Sequence, residues 1–364
     1  MKLRAGVIGT NRGQAFANAL LNCEHTEMAA ICDINPEILQ KNKDIFGNPA
    51  LFTDYRRMLE SGIDMVIVAA PLPLHVPISI EALDMGIHVF SEVPAASSLE
   101  QCGDLVQAVR RSKAKYMFGE NCCYMKNHMI VKEMARAGVF GDIYYAEGEY
   151  VHNVRFRDEP GGWREKFLFD RRGGTYQTHS LGPILEWLDD IVVTVNCVGS
   201  GSHVDPRIHG DDSSVMLCTT AKGALISLRN DVLSPRPFSG YASLQGTNGC
   251  YETDWSTSKY SEMDRVALVD PEKPKEDVTF RPLSDFEKDF TPKVWRDLPE
   301  GADKWEHGGA DPLAIMDFVH AILEDREPPI DVYRGLDFTV PGLISEISAN
   351  QGGAPVAVPN FRYR

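Results

Sequence analysis

Short apolar runs alternate with helical patterns over the first hundred or so residues, the rhythm that a parallel α/β sheet requires. The runs at 3–8, 29–33, 65–70, 88–90 and 116–118 predict strands, and the amphipathic stretches 36–45, 77–85 and 99–110 predict helices. Ser98, with Gln101 three residues on, reads as the N-cap and capping-box partner of the last of these. After about residue 122 the pattern changes. One helical stretch, 130–137, stops at Gly138, and strand-like runs then follow without intervening helices at 143–152, 213–219, 224–230 and 241–246. Consecutive strands of that kind predict an open, mostly antiparallel sheet in an α+β second domain. Helical patterns at 312–324 and 331–348 close the chain, and the Pro-, Asp-, Glu- and Lys-rich segment 270–305 reads as a surface excursion.

The chain has 364 residues, enough for two hydrophobic cores. The expected division is 1–122 for a doubly wound Rossmann domain and 123–364 for a substrate and oligomerisation domain. The helices at about 310–349 are expected to pack back near the junction. A formal charge of −15 argues against nucleic acid as a partner, because phosphate binding needs a basic surface. There is no apolar run of membrane-spanning length and no signal-like segment ahead of the first strand, so no membrane partner and a cytoplasmic location are expected. None of the eight cysteines stands in a Cys-x-x-Cys pair, which predicts reduced, buried thiols and no metal site.

Within 5–14, a strand breaks into a glycine-containing turn and then a helical pattern: Gly9-Thr10-Asn11-Arg12-Gly13. Such a turn brings backbone N–H groups towards a pyrophosphate. It departs from Gly-x-Gly-x-x-Gly, with Asn11 at the second glycine and Gly13 one residue early. Asn tolerates the left-handed conformation that the missing glycine would supply, so the departure does not exclude the function. Asp33 ends the second strand 24 residues after Gly9, where a carboxylate binds the adenosine ribose and repels a 2′-phosphate, so NAD is the expected cofactor. By itself Asp33 also reads as a residue at the start of the helix near Pro36. Pro71 and His75, after the strand at 65–70, fall at the carboxyl end of the sheet, where cofactor contacts gather.

Asp64 to Pro71, His75, Gly86 to Pro94 and Glu120-Asn121 resemble the Gfo/Idh/MocA oxidoreductases, a family that joins an NAD(P)-binding Rossmann domain to an open-sheet substrate domain. Further segments resemble its NAD-dependent glycoside hydrolases, family 109 and the related sulfoquinovosidases. They are Glu92-Val93-Pro94-Ala95-Ala96, Glu120-Asn121-Cys122-Cys123-Tyr124, Gly138-Val139-Phe140-Gly141, Glu147-Gly148-Glu149-Tyr150-Val151-His152, Tyr176-Gln177-Thr178-His179-Ser180-Leu181-Gly182-Pro183 and His307-Gly308-Gly309. Sugar dehydrogenases of the family carry lysine where this chain has Val93, and valine can neither donate nor accept a proton. Gln177, Ser180 and Asn153 depart from the family's usual Pro, Gly and Asp.

The resemblance implies that Gly9, Asn11, Arg12, Gly13, Asp33, Pro71, His75 and Glu92 serve the cofactor. It implies that Glu120, Tyr150, Arg164, Tyr176 and His179 line a sugar pocket with His152 as a further substrate-binding candidate, although His152, like His128 and His320, by itself reads as structural. The implied chemistry begins with hydride removal from C3 of a bound sugar. C2 deprotonation by Tyr150, elimination of the C1 aglycone, water addition and re-reduction follow, with His179 and Tyr176 at the C3 hydroxyl. Arg155, Arg157, Arg164, Lys166, Arg171 and Arg172 form a local excess of cations that reads either as a solvated, ion-paired loop or as recognition of an anionic sugar such as a sulfoquinovoside. The alternatives are a plain NAD-dependent sugar or polyol dehydrogenase and a non-catalytic NAD-binding regulatory protein. By analogy with the family, a homo-oligomer, dimer or tetramer, is expected.

Overall fold

The computed structural model describes residues 2–154, 162–233, 235–253, 264–270, 278–298, 301 and 304–363. The chain divides into two compact units: Met1–Tyr124, Leu298–Leu336 and Asn360–Arg364 form the first, Met125–Asp297 and Asp337–Pro359 the second. The expected single boundary at 122/123 thus meets an interleaved division, in which 298–336 belongs with the N-terminal sheet rather than wholly with the second domain.

Six parallel strands build the first unit: β1 (Leu3–Ile8), β2 (Thr26–Cys32), β3 (Ala50–Phe52), β4 (Met65–Val68), β5 (His88–Ser91) and β6 (Tyr116–Phe118), in the order β3-β2-β1-β4-β5-β6. This is the doubly wound order, with the direction of winding reversing between β1 and β4. Strand β4 is buried at every position, as a strand covered on both faces must be. The helices are α1 (Thr10–Gly13), α2 (Ala17–Asn22), α3 (Pro36–Asn42), α4 (Tyr55–Leu59), α5 (His75–Asp84) and α6 (Leu99–Arg111). Ser98 caps α6 by accepting from Gln101 N, as the sequence predicts, and Gln101 Oε1 accepts from Ser97 N. Further along the chain, α11 (Ala310–Leu323) packs against α2 and the turn at Asn121–Tyr124, and its Phe318 joins Phe16 and Phe90 in an aromatic core.

The second unit holds α7 (Lys126–Arg136), α8 (Thr178–Leu188), α9 (Glu287–Phe290), α10 (Lys293–Arg296) and most of α12 (Val332–Asn350). Its sheet contains β7 (Ile143–Val151), β8 (Val192–Gly199), β9 (Ser213–Thr220), β10 (Leu225–Asp231), β11 (Ala242–Gly246), β12 (Gly249–Glu252), β13 (Arg265–Leu268), β14 (Arg281–Pro282) and β15 (Val356–Ala357). The order is β14-β13-β12-β11-β7-β10-β9-β8-β15, antiparallel throughout except for the parallel pair β7–β10. One face carries Met216, Cys218, Ile226, Leu228 and Leu244, all buried, while Val198, Val215, Leu217 and Leu225 stand exposed. No helix among the described residues is long and apolar enough to cross a membrane. Burial pushes the Cys102 and Cys218 thiols up to about 12, so both are held as thiols at neutral pH.

Candidate active site

Leaving β1, the chain turns at Gly9, whose φ of 88° is left-handed. A Cβ there would stand 2.3 Å from the Ala69 carbonyl oxygen, so glycine is required on both conformational and steric grounds. At Gly13 a Cβ would lie 2.4 Å from Val7 Cγ1, so the glycine lets the helical segment approach the strand. Asn11 does not use its tolerance of the left-handed region. It lies within α1, exposed and outside the left-handed region, because Gly9 alone makes the reversal.

The Asp33 carboxylate points back at this turn. Its Oδ2 accepts from Thr10 N and from Thr10 Oγ1, both at 3.0 Å, and its Oδ1 accepts from Asn35 N. Asn35, not Asp33, caps α3. The glycines and a carboxylate at the end of β2 fit the pyrophosphate and adenosine ribose of NAD. Thr10, whose hydroxyl also accepts from Asn42 Nδ2, holds the Asp33 carboxylate against the turn, a contact that the glycine spacing did not reveal.

Beyond β4 and β5 lies a second set of groups. Pro71 is exposed, whereas His75 is only 2% exposed, with Nδ1 2.9 Å from Pro94 O and Nε2 2.8 Å from Ala70 O. His75 ties together the loops that follow β4 and β5, and burial lowers its pKa. Arg12 reaches Glu92 at 2.6 Å and grips Asp311 with both terminal nitrogens at 3.2 Å. Asp311 also accepts from Asn121 Nδ2 at 3.0 Å and lies 2.7 Å from His307 Nδ1. Burial opposes its ionisation, yet the hydrogen bond with His307 and the Arg12 charge hold its carboxyl below the usual range. Sequence reading singled out Arg12, Glu92 and the His307-Gly308-Gly309 run but missed Asp311. Glu120 is fully buried beside Asn121, and its Oε1 accepts from Cys122 N.

In the second unit, Tyr150 stands near the end of β7 on the face that carries Gly148 and Ala146. It is surrounded by His179, Tyr176, His152 and Phe238, with ring centroids at 4.8, 5.8, 5.5 and 6.0 Å. The Tyr150 hydroxyl lies 2.7 Å from His152 Nδ1. Four of the sequence candidates therefore meet in one aromatic cluster, and Phe238 completes it without having been legible beforehand. Tyr176 and His179 arrive on the turn into α8, which packs on β7. Gln177 is fully buried beside Gly174 and Met216.

Arg164 begins a short π-helical turn, Glu165–Phe169, and its guanidinium lies 4.4 Å from the Trp163 ring centroid. Leu168 and Phe169 pack with Val154, Ile208, Val232 and Leu233 in a cluster that also touches Tyr150 and Tyr176. Of the other local cations, Arg171 is tied to Glu346 and Arg172 to Asp211, so these two serve the fold; Arg155 and Arg157 lie outside the described residues.

The family profile described as glycosyl hydrolase 109, C-terminal domain, matches residues 124–198 and 202–363. That of the oxidoreductase family, NAD-binding Rossmann fold, matches 3–120. A glycosyl hydrolase family 109 protein of Streptomyces filamentosus is 31% identical over 99% of this chain and 77% of its own length. Another, of Solibacter usitatus, is 30% identical over 99% and 88%. Among solved structures, levoglucosan dehydrogenase in complex with NADH and L-sorbose superposes with a TM-score of 0.83 at 20% identity, covering 99% of this chain and 100% of that one. The WlbA dehydrogenase of Bordetella pertussis, in complex with NADH and UDP-GlcNAcA, gives 0.79 at 23% identity, with 98% of each covered. These structural likenesses concern the fold.

Proposed function

The chain belongs to glycosyl hydrolase family 109, with an NAD-binding domain of the Gfo/Idh/MocA oxidoreductases, and from that premise we propose that it is an NAD-dependent glycosidase. The observation that carries this reading is the Tyr150–His152–Tyr176–His179 cluster, since a glycosidase of the two-carboxylate kind needs paired acids and this cluster offers a phenol and imidazoles instead. NAD, when bound, supplies a reversible hydride acceptor for C3 of the sugar, which makes the C2 proton acidic.

Tyr150 is the C2 base. Its hydroxyl is within 2.7 Å of an imidazole nitrogen, so His152 can take up the phenolic proton and keep the oxygen ready to act. His179 and Tyr176, whose rings flank Tyr150, serve the C3 hydroxyl. The aglycone would leave C1 as C2 loses its proton to Tyr150, and water would then add across C1 and C2, its hydroxyl to C1 and a proton back to C2. Glu120 holds sugar hydroxyls. Arg164, which starts the turn that carries Leu168 and Phe169, is assigned to an anionic group such as the sulfonate of a sulfoquinovoside.

The test is incubation of the purified chain with a panel of p-nitrophenyl glycosides in deuterated water. Release of nitrophenol with deuterium at C2 and no net NADH is expected. Net NADH from free sugar, without aglycone release, would establish the plain dehydrogenase instead. For the anionic sugar, Arg164→Ala should weaken sulfonated or carboxylated glycosides more than neutral ones, and equal losses on both would remove that assignment.

A further inference from the structure

Several loops of the first unit are tied to one buried carboxylate, that of Asp311 in the first turn of α11. Its Oδ1 accepts from Asn121, in the turn after β6, and from Arg12, in the turn after β1. Its Oδ2 accepts from the other terminal nitrogen of Arg12, and Arg12 in turn reaches Glu92, which follows β5. The bond at Oδ2 to His307 Nδ1 is shorter than these contacts of Asp311, at 2.7 Å against 3.0 and 3.2 Å. Asp311 is held ionised, and an ionised carboxylate only accepts, so Nδ1 is a protonated nitrogen of that ring.

His307 makes this bond from a backbone that does not call for histidine. It has φ 51° and ψ 39°, in the left-handed region, and Gly308 and Gly309 follow it at φ 65° and 94°. Glycine at 307 would take the same conformation without a Cβ penalty, as the next two positions do. What glycine could not do is donate to Asp311. Arg12 belongs to the Gly9–Gly13 segment, which receives the cofactor in this fold. We propose that His307 is a positioning residue for NAD: it aims the Asp311 carboxylate, which holds the Arg12 side chain and so sets the cofactor turn from a residue 299 positions further along the chain. The proposal rests on the reading of Arg12 and its turn as cofactor residues, and it stands whether or not a glycosidic bond is cleaved.

The experiment measures the NAD⁺ dissociation constant of the full chain, freed of cofactor, by calorimetry, under conditions where urea titration shows each variant fully folded. His307→Gly keeps the turn and removes the donor, and should weaken NAD⁺ by about tenfold, the worth of one hydrogen bond to a charged group. His307→Asn tolerates the same backbone and offers Nδ2 where Nδ1 stood, so it should restore most of that affinity. Asp311→Asn should also weaken NAD⁺, and its loss should not add to that of His307→Gly in the double variant, because the two act through one contact. Wild-type affinity in His307→Gly overturns the proposal, as do an asparagine variant no better than the glycine one and losses that simply add. Should His307→Gly fail to fold, His307→Asp, which fits the backbone but cannot donate when ionised, takes its place with the same expectation. A wild type that binds no NAD⁺ would overturn the cofactor reading and this proposal together, whereas wild-type binding that the glycine variant shares overturns this proposal alone.

Discussion

Tyr150 is the residue on which most of the proposed chemistry turns, and its position follows from the two-residue period of β7. Gly148, two positions earlier on the same face, makes room for Ile184 and Ser180, while Tyr150 faces the rings of Tyr176 and His179. Removing only the phenolic oxygen should therefore separate two steps. Tyr150→Phe is expected to abolish deuterium exchange at C2 and to lower kcat by about 10²–10⁴, the usual worth of a positioned acid–base group. Reduction of bound NAD by the sugar should survive and be seen at 340 nm in a single turnover. Retained C2 exchange in this variant would transfer the base to another residue. At this scale, sequence could show Gly9 and Asp33, because their spacing is fixed by a local turn and one crossover. It could not show the Arg12–Asp311 pair, whose partners are 299 positions apart, or Phe238, an aromatic with no local chemistry to mark it.

Helix α8 carries the consequence one level up. Its first turn brings His179 to Tyr150, and its apolar side rests on β7 through Ile184 and Ser180, at the place where Gly148 has no side chain. A Cβ at Gly148 would meet Ile184 Cδ1 at 3.0 Å, Ser180 Cβ at 3.1 Å and Leu228 Cδ2 at 3.2 Å, closer than a packed interior accepts without movement. Gly148→Ala should accordingly cost about 1–3 kcal/mol in urea unfolding, and lifting α8 should reduce kcat by roughly tenfold or more. Full activity with the expected loss of stability would show that the helix is not what sets the His179 position. Elements with a clean period, such as β7, β9 and α6, were legible in the sequence. Strand β8 was not: a register shift between Val192 and Thr194 breaks its alternation, and Val193 and Val198 are exposed although apolar. The excursion at 270–305 also conceals β14 at the sheet edge, too short to carry a pattern of its own.

Across the whole molecule, a chain of two interleaved units with a formal charge of −15 should respond to acid in distinct windows. His88 opens β5, and its Nδ1 accepts a hydrogen bond from Lys115 N at 2.9 Å, a bond that protonation of that nitrogen would break. Burial, followed by the Lys115 charge, lowers its pKa from 6.5. Burial does the same to His75. A histidine with a depressed folded-state pKa binds fewer protons folded than unfolded, so its stabilising contribution is whole above about 6.5, shrinks as pH falls below that value and is gone beneath the folded-state pKa. Asp311 is depressed as well, but as a carboxylate it keeps its contribution until the pH falls below about 3.8. Urea unfolding of the wild type should therefore weaken between pH 7 and 5, well before the carboxylate is protonated. In His88→Asn, whose Oδ1 can accept from Lys115 N without taking a proton, that weakening should be smaller, and its stability deficit relative to wild type should narrow as the pH drops. The sequence pI of about 5.1 removes net charge in the same window, so the measurement needs dilute protein to keep association out of the result. Parallel pH profiles for the two proteins would mean that His88 does not couple protonation to the pairing of β5 with β6.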